Sequence, residues 1–150
     1  MEDKLKADIY DVREADTDKD RVIVGAEPET TIGEFKDNLL NPNEYIKIYD
    51  SEGNELDDDE EVKTGLVIKL EYGNNVVDEA IMVIRGDIDG DGVVTLVDYM
   101  SIINHYVEVE EITDYPNFLA ADVDEDETIN MADALKLLNY YTEIIDTLNE

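Results

Sequence analysis

Residues 87–98 read DIDGDGVVTLVD, with acids at every second position, two glycines, and then an apolar run. A calcium loop places oxygen donors at positions 1, 3, 5, 7, 9 and 12, with glycine at 6 for a sharp turn. Counted from Asp87, those positions hold Asp87, Asp89, Asp91, Val93, Thr95 and Asp98, and Gly92 stands sixth. Val93 can offer only its backbone carbonyl, which is what position seven supplies. Position 12 alone departs, with Asp98 where the usual loop has glutamate.

The pattern recurs as DVDEDETINMAD from Asp122, an offset of 35 residues (122 − 87). Its donor positions are Asp122, Asp124, Asp126, Thr128, Asn130 and Asp133. The segments that follow also correspond: DYMSIINHYV and DALKLLNYYT align Asn104 with Asn139 and Tyr106 with Tyr141. A single acidic loop is compatible with a solvated turn, but two copies in register, each feeding an amphipathic helix, mark a duplicated module. Two calcium ions are therefore expected. The second should bind more weakly, because Glu127 takes the glycine position and a left-handed L-residue costs roughly 1–2 kcal/mol.

What precedes each loop differs from a full EF-hand, which has a helix on both sides. Before Asp87 lies EAIMVIRG, an apolar β-branched run that reads as a strand. Before Asp122 lies YPNFLAA, with room for a turn or two of helix. The unit is loop then helix, twice.

In this respect residues 84–150 resemble a dockerin, the duplicated loop–helix module that plugs into cohesin domains in the cellulosomes of anaerobic bacteria. DIDGDG, DVDEDE, Asp98 and Asp133 at position 12, and the connecting LAAD carry the likeness. The resemblance implies that both loops bind calcium, that the partner is the cohesin of a scaffoldin or surface protein, and that the module acts outside the cell or on its surface. It implies no enzyme activity of its own, in a setting of polysaccharide degradation.

The first eighty residues read differently. KADIYDV and RVIVGAE suggest strands. ETTIGEFKDNLL suggests a helix with Thr30 or Thr31 as N-cap, Glu34 near the third position, and Ile32, Phe35, Leu39 and Leu40 on one side. YIKIYDSEGNEL reads as strand and turn, and LVIKLEY and DEAIMVIRG as two more strands. The expected fold is two small domains. Residues 1–84 form an α+β module, β-grasp-like or otherwise β-rich, which resembles by position the X modules found upstream of dockerins. Residues 85–150 form an all-α dockerin with two half-EF-hand repeats. DTDKD (Asp16, Asp18, Asp20) mimics ligand spacing but has Arg21 at the glycine position, and reads as a charged turn. DDDEE at 57–61 reads as a solvated loop.

The 150-residue chain is 43% hydrophobic, enough for a packed core despite a formal net charge of −30. Residues 1–84 carry 24 acids and 9 bases and residues 85–150 carry 17 and 2, so each part nets −15 and the acidity is not a tail. Such a charge disfavours nucleic acid and direct contact with an anionic membrane. Cysteine is absent, which excludes disulfide and thiolate chemistry. The start, MEDKLKAD, has no signal-peptide apolar region; if the parent protein is secreted, its leader is expected elsewhere. The single histidine, His105, aligns with Tyr140 in the other copy, which suits packing or surface better than catalysis.

Each repeat helix carries two apolar stripes about a quarter-turn apart. One holds Tyr99, Ile102 and Tyr106, then Ala134, Leu137 and Tyr141; the other holds Leu96, Met100, Ile103 and Val107, then Met131, Leu135, Leu138 and Thr142. Either they form one wide core face, or the first is core and the second a partner surface. The resemblance favours the latter. Positions that meet the cohesin in dockerins fall here on Leu96, Val97, Ile103 and Asn104, and on Met131, Ala132, Leu138 and Asn139. An apolar set of this kind is similar to the type II class. Two other readings stand beside this one, a calcium sensor or buffer and a calcium-stabilised structural spacer of a surface protein.

Overall fold

The computed structural model describes residues 3–14 and 21–149; the expected charged turn at Asp16, Asp18 and Asp20 lies outside them. Two short strands, β1 (Asp11–Arg13) and β2 (Val22–Val24), precede helix α1 (Ile32–Asp37). Strands β3 (Ile46–Tyr49), β4 (Val67–Tyr72) and β5 (Asn75–Val83) follow, and then helices α2 (Leu96–Tyr106), α3 (Tyr115–Ala121) and α4 (Met131–Tyr141). The expected order of strand, strand, helix and three strands, followed by helices, is present.

The strands form one mixed sheet in the order β1-β2-β5-β4-β3. Its centre is the parallel pair β2–β5, Val22 opposite Ile81, and the remaining pairs are antiparallel. The β4–β5 hairpin closes over Gly73 and Asn74, with Tyr72 opposite Asn75, and is irregular between Leu70 and Glu71. Two sequence expectations are corrected in this region. KADIYDV is strand only from Asp11: the Lys6 amide goes to the Asn41 side chain (2.9 Å), and Ala7 makes an isolated bridge to Leu39 outside the ladder. Leu40 is exposed, unlike Ile32, Phe35 and Leu39. The helix ends at Asp37, so helical spacing no longer applies to it. Thr31 is the N-cap, its Oγ1 accepting the Glu34 N–H at 3.2 Å.

Both faces of the sheet are covered. On one, Ile23, Ile46, Ile48, Ile68, Leu70, Ala80 and Met82 pack with Ile32, Phe35 and Leu39 from α1 and its end. On the other, Val22, Val24 and Val83 join Ile88, Ile102, Leu119, Ile129, Ala134 and Leu137 in a second apolar cluster. The helical region therefore uses the sheet as one wall of its core. The three consecutive buried residues of β2 follow from this, since a strand covered on both faces is apolar throughout. After α4 the chain returns to the sheet region: Leu148 is buried, Thr147 Oγ1 donates to the Glu27 carboxylate, and Asn149 Oδ1 accepts the Arg85 Nε–H at 3.1 Å.

Candidate metal centres and the outer helical face

Each acid loop runs into a helix whose N-cap belongs to the loop. Thr95 Oγ1 accepts the Val97 N–H (3.2 Å) and Asn130 Oδ1 accepts the Ala132 N–H (2.9 Å). Asp98 and Asp133 complete the boxes, each taking the N-cap residue's own N–H on Oδ2 at 2.9 Å. The position-12 carboxylates thus fasten the loop end to the helix start. They also reach back across the loop, where Asp98 Oδ1 accepts the Ile88 and Asp89 amides (2.8 and 3.2 Å) and Asp133 Oδ1 accepts the Asp124 amide (3.2 Å).

The structure gathers the sequence-predicted acids into two groups, Asp87 with Asp89, Asp91 and Asp98, and Asp122 with Asp124, Asp126 and Asp133. Within each group one carboxylate oxygen per residue lies within 4.8 Å of the others. The remaining sequence candidates occupy their loop positions. The side chain of Val93 is exposed, leaving its carbonyl as the donor it can offer, and Thr95 and Asn130 are engaged as caps. Thr128 N–H donates to Asp126 Oδ1 at 3.0 Å.

Positions 1 and 12 of both loops are buried while positions 3 and 5 are exposed. Burial, joined by repulsion from the neighbouring acids, pushes Asp87 up to about 7 and Asp98 up to about 6. Burial likewise raises Asp122 to about 6 and Asp133 to about 7. Four carboxylates held this closely are mutually repulsive, and a cation is the natural counter-charge. The donors are oxygen throughout, with no thiolate or imidazole, which fits a hard cation such as calcium.

Glu127 has φ +69°, the left-handed conformation that position six demands, and its amide donates to Asp122 Oδ2 (2.9 Å) just as the Gly92 amide donates to Asp87 Oδ2 (3.0 Å). A second left-handed glutamate, Glu125 at φ +59°, stands where the first loop has Gly90. Its carboxylate pairs with both Arg13 and Arg85. Burial opposes its ionisation, but the two guanidiniums hold it below the usual carboxylate range. Three participants escaped the sequence reading: Glu125, its two arginines as a pair, and Thr64, whose N–H donates to Asp87 Oδ2 at 3.0 Å. None carries a local sequence signal, because the contacts join distant segments.

Elsewhere the remaining candidates settle plainly. His105 Nδ1 accepts the Ile112 N–H at 2.9 Å, fastening the turn after α2. Residues 57–61 form an exposed turn tied to the start of α1, the Glu60 and Asp58 carbonyls accepting the Ile32 and Gly33 amides (2.7 and 2.9 Å) and Asp58 pairing with Lys36 (2.8 Å), with no acid cluster there among the described residues. Of the expected core stripe, Ile102, Ala134 and Leu137 are fully buried and Tyr99 is partly buried. Tyr106 and Tyr141 are corrections: they are 51% and 44% exposed, being the last residues of α2 and α4. On the outer side, Leu96, Val97, Met100, Val107, Met131 and Leu135 are between 45% and 61% exposed, and Ala132 and Thr142 are exposed too. Ile103, Asn104, Leu138 and Asn139 are only partly exposed, and Ile103 packs against the second core cluster.

A pair of oxygen-rich loops, each capped into a helix and related by a 35-residue repeat, defines a duplicated loop–helix module of the cation-loop class. Residues 85–141 match the family model of the dockerin type I domain, so the helical region is of dockerin type. The matched description is type I, and it lends no support to the type II likeness. Two solved structures are similar to part of the chain. One is a type I cohesin–dockerin complex from Clostridium thermocellum, with 28% identity, 45% of this chain and 99% of that chain covered, and a TM-score of 0.40. The other is the ScaB dockerin with the third cohesin of ScaC from Acetivibrio cellulolyticus, with 31% identity, 45% and 93% coverage, and a TM-score of 0.39. No curated protein matches the chain. No helix among the described residues is long and apolar enough to cross a membrane.

Proposed function

We propose that this chain is a non-catalytic, calcium-dependent docking protein. Its helical region, from about residue 85 onward, binds a cohesin domain of a scaffoldin or surface protein. In doing so it assembles or anchors a multiprotein complex outside the cell or on the surface of an anaerobic bacterium. The sheet region, about residues 1–84, serves as an adjoining stabilising module. The observation that carries this reading is the pairing, in each repeat, of a four-carboxylate cluster with a helix whose outer face is exposed and apolar. Calcium, held by Asp87, Asp89, Asp91 and Asp98 and by their counterparts from Asp122 to Asp133, relieves the repulsion within each loop and fixes the helix that follows it. Leu96, Val97, Met100 and Val107, with Met131, Ala132 and Leu135, then supply the apolar anchors. Ile103, Asn104, Leu138 and Asn139 form the partly exposed margin of that face.

The direct test is a binding screen of the full chain against type I and type II cohesins, in calcium and in chelator. The expected result is tight binding to at least one cohesin that vanishes on chelation and returns with calcium. Calcium uptake without binding to any cohesin would favour a structural spacer instead.

A further inference from the structure

The first acid loop is closed on one side by the sheet region. Thr64, in the segment leading into β4, holds it in three ways. Its N–H donates to Asp87 Oδ2 at 3.0 Å. Its hydroxyl donates to the Ile84 carbonyl (3.1 Å) and accepts the Ile84 N–H (2.9 Å), fixing the chain just before the loop. Its carbonyl stands 2.8 Å from where a Cβ at Gly90 would lie, and the Val62 carbonyl stands 3.2 Å from a Cβ at Gly92. Both loop glycines therefore answer to the sheet region's backbone as well as to their own positive φ of +76° and +87°.

Comparison of the repeats isolates the role of Thr64. The bonds from Asp91 and Gly92 to Asp87 have counterparts from Asp126 and Glu127 to Asp122. Those from Asp89 and Thr95 to Asp98 recur as Asp124 and Asn130 to Asp133. The bond from Thr64 to Asp87 stands apart from these pairs, because its donor comes from outside the repeat.

We propose that Thr64 is a positioning residue of the first calcium site, so that ion binding and docking of the sheet region onto the helical region form one linked equilibrium. This rests on the calcium reading above. The Thr64 amide orients the buried position-1 carboxylate before an ion arrives, which lowers the ordering cost of binding. By reciprocity, a bound ion that holds Asp87 in that orientation strengthens its grip on Thr64.

The test is amide hydrogen exchange by NMR on the full chain, with and without calcium. Exchange at Thr64 should slow about tenfold or more on calcium addition, in step with Gly92, since a hydrogen bond to a charged group is at stake. Slowing at Gly92 with none at Thr64 overturns the proposal while leaving the calcium reading intact. No response at either amide in excess calcium overturns that reading, and the proposal with it. Calorimetry on two variants separates the amide from the fold. Thr64→Val loses only the hydroxyl's two bonds to Ile84, whereas Thr64→Pro loses those and the N–H to Asp87, so Thr64→Pro should weaken the first site about tenfold more than Thr64→Val does. Equal weakening by both would mean that the hydroxyl's hold on Ile84, and not the amide, matters.

Discussion

Glu125 and Glu127 occupy left-handed positions of the same loop, at φ +59° and +69°, yet their side chains have different surroundings. Glu125 bridges Arg13 and Arg85, whereas Glu127 has no ion pair among those described. Glycine at either position would relieve backbone strain of about 1 kcal/mol. At 125 it would also remove a half-exposed ion pair of the kind that contributes about 0–1 kcal/mol. Glu127→Gly should therefore raise the melting temperature of the chelated chain by about 2–4 °C and bring the second calcium site closer in affinity to the first. Glu125→Gly should gain less or lose stability. Scanning and titration calorimetry measure both, and equal gains would show that the arginines add nothing. The oddity of Glu127 was legible from its loop position alone. That of Glu125 was not, because Arg13 and Arg85 lie 112 and 40 residues away in the chain.

The helices divide their apolar residues between two tasks, and most of that division was visible in the spacing. Ile102, Ala134 and Leu137 turn inward while Leu96, Met100, Met131 and Leu135 turn outward. Periodicity could not show where the sheet's coverage stops, so the terminal tyrosines were misplaced. Binding energy at interfaces concentrates in a few apolar anchors, each commonly contributing ~2 kcal/mol or more. The first repeat has the bulkier outer set, with Val97 and Val107 where the second has Ala132 and Thr142. Leu96→Asp with Met100→Asp should therefore weaken cohesin binding by about 30-fold or more, and more than Met131→Asp with Leu135→Asp does. All four side chains are exposed, so circular dichroism should show both double variants folded in calcium. Equal losses would mean that both repeats engage one cohesin together. Ile103 is a poor probe of this face, since a charge there would also disturb the core cluster.

At the scale of the whole chain, the sheet and helical regions are joined by a shared core, not by a bare linker. Val22, Val24 and Val83 close the cluster that holds Ile102 and Leu137. The sign of this was present in the sequence as the unbroken apolar runs VIV at 22–24 and IMVI at 81–84, which a one-faced sheet would not need. The alternation rule alone says nothing about which neighbour covers the second face, and residues 1–84 taken by themselves would be expected to hold their strands without calcium. The shared core changes the expected behaviour. Calcium at a hundredfold excess over its dissociation constant stabilises a cooperative unit by about 2.7 kcal/mol per site, or about 5–10 °C at this chain length. Because loss of the helices would uncover the apolar second face of β2 and β5, chelation should lower the melting temperature of the strands together with that of the helices. Far-ultraviolet circular dichroism follows the helices, and hydrogen exchange at Ile23, Ile68 and Met82 follows the sheet. The two should move together in the intact chain. A sheet whose protection ignores chelator while the helices melt would mean that face contributes little stability, and that α1 and its apolar cluster suffice for the strands on their own.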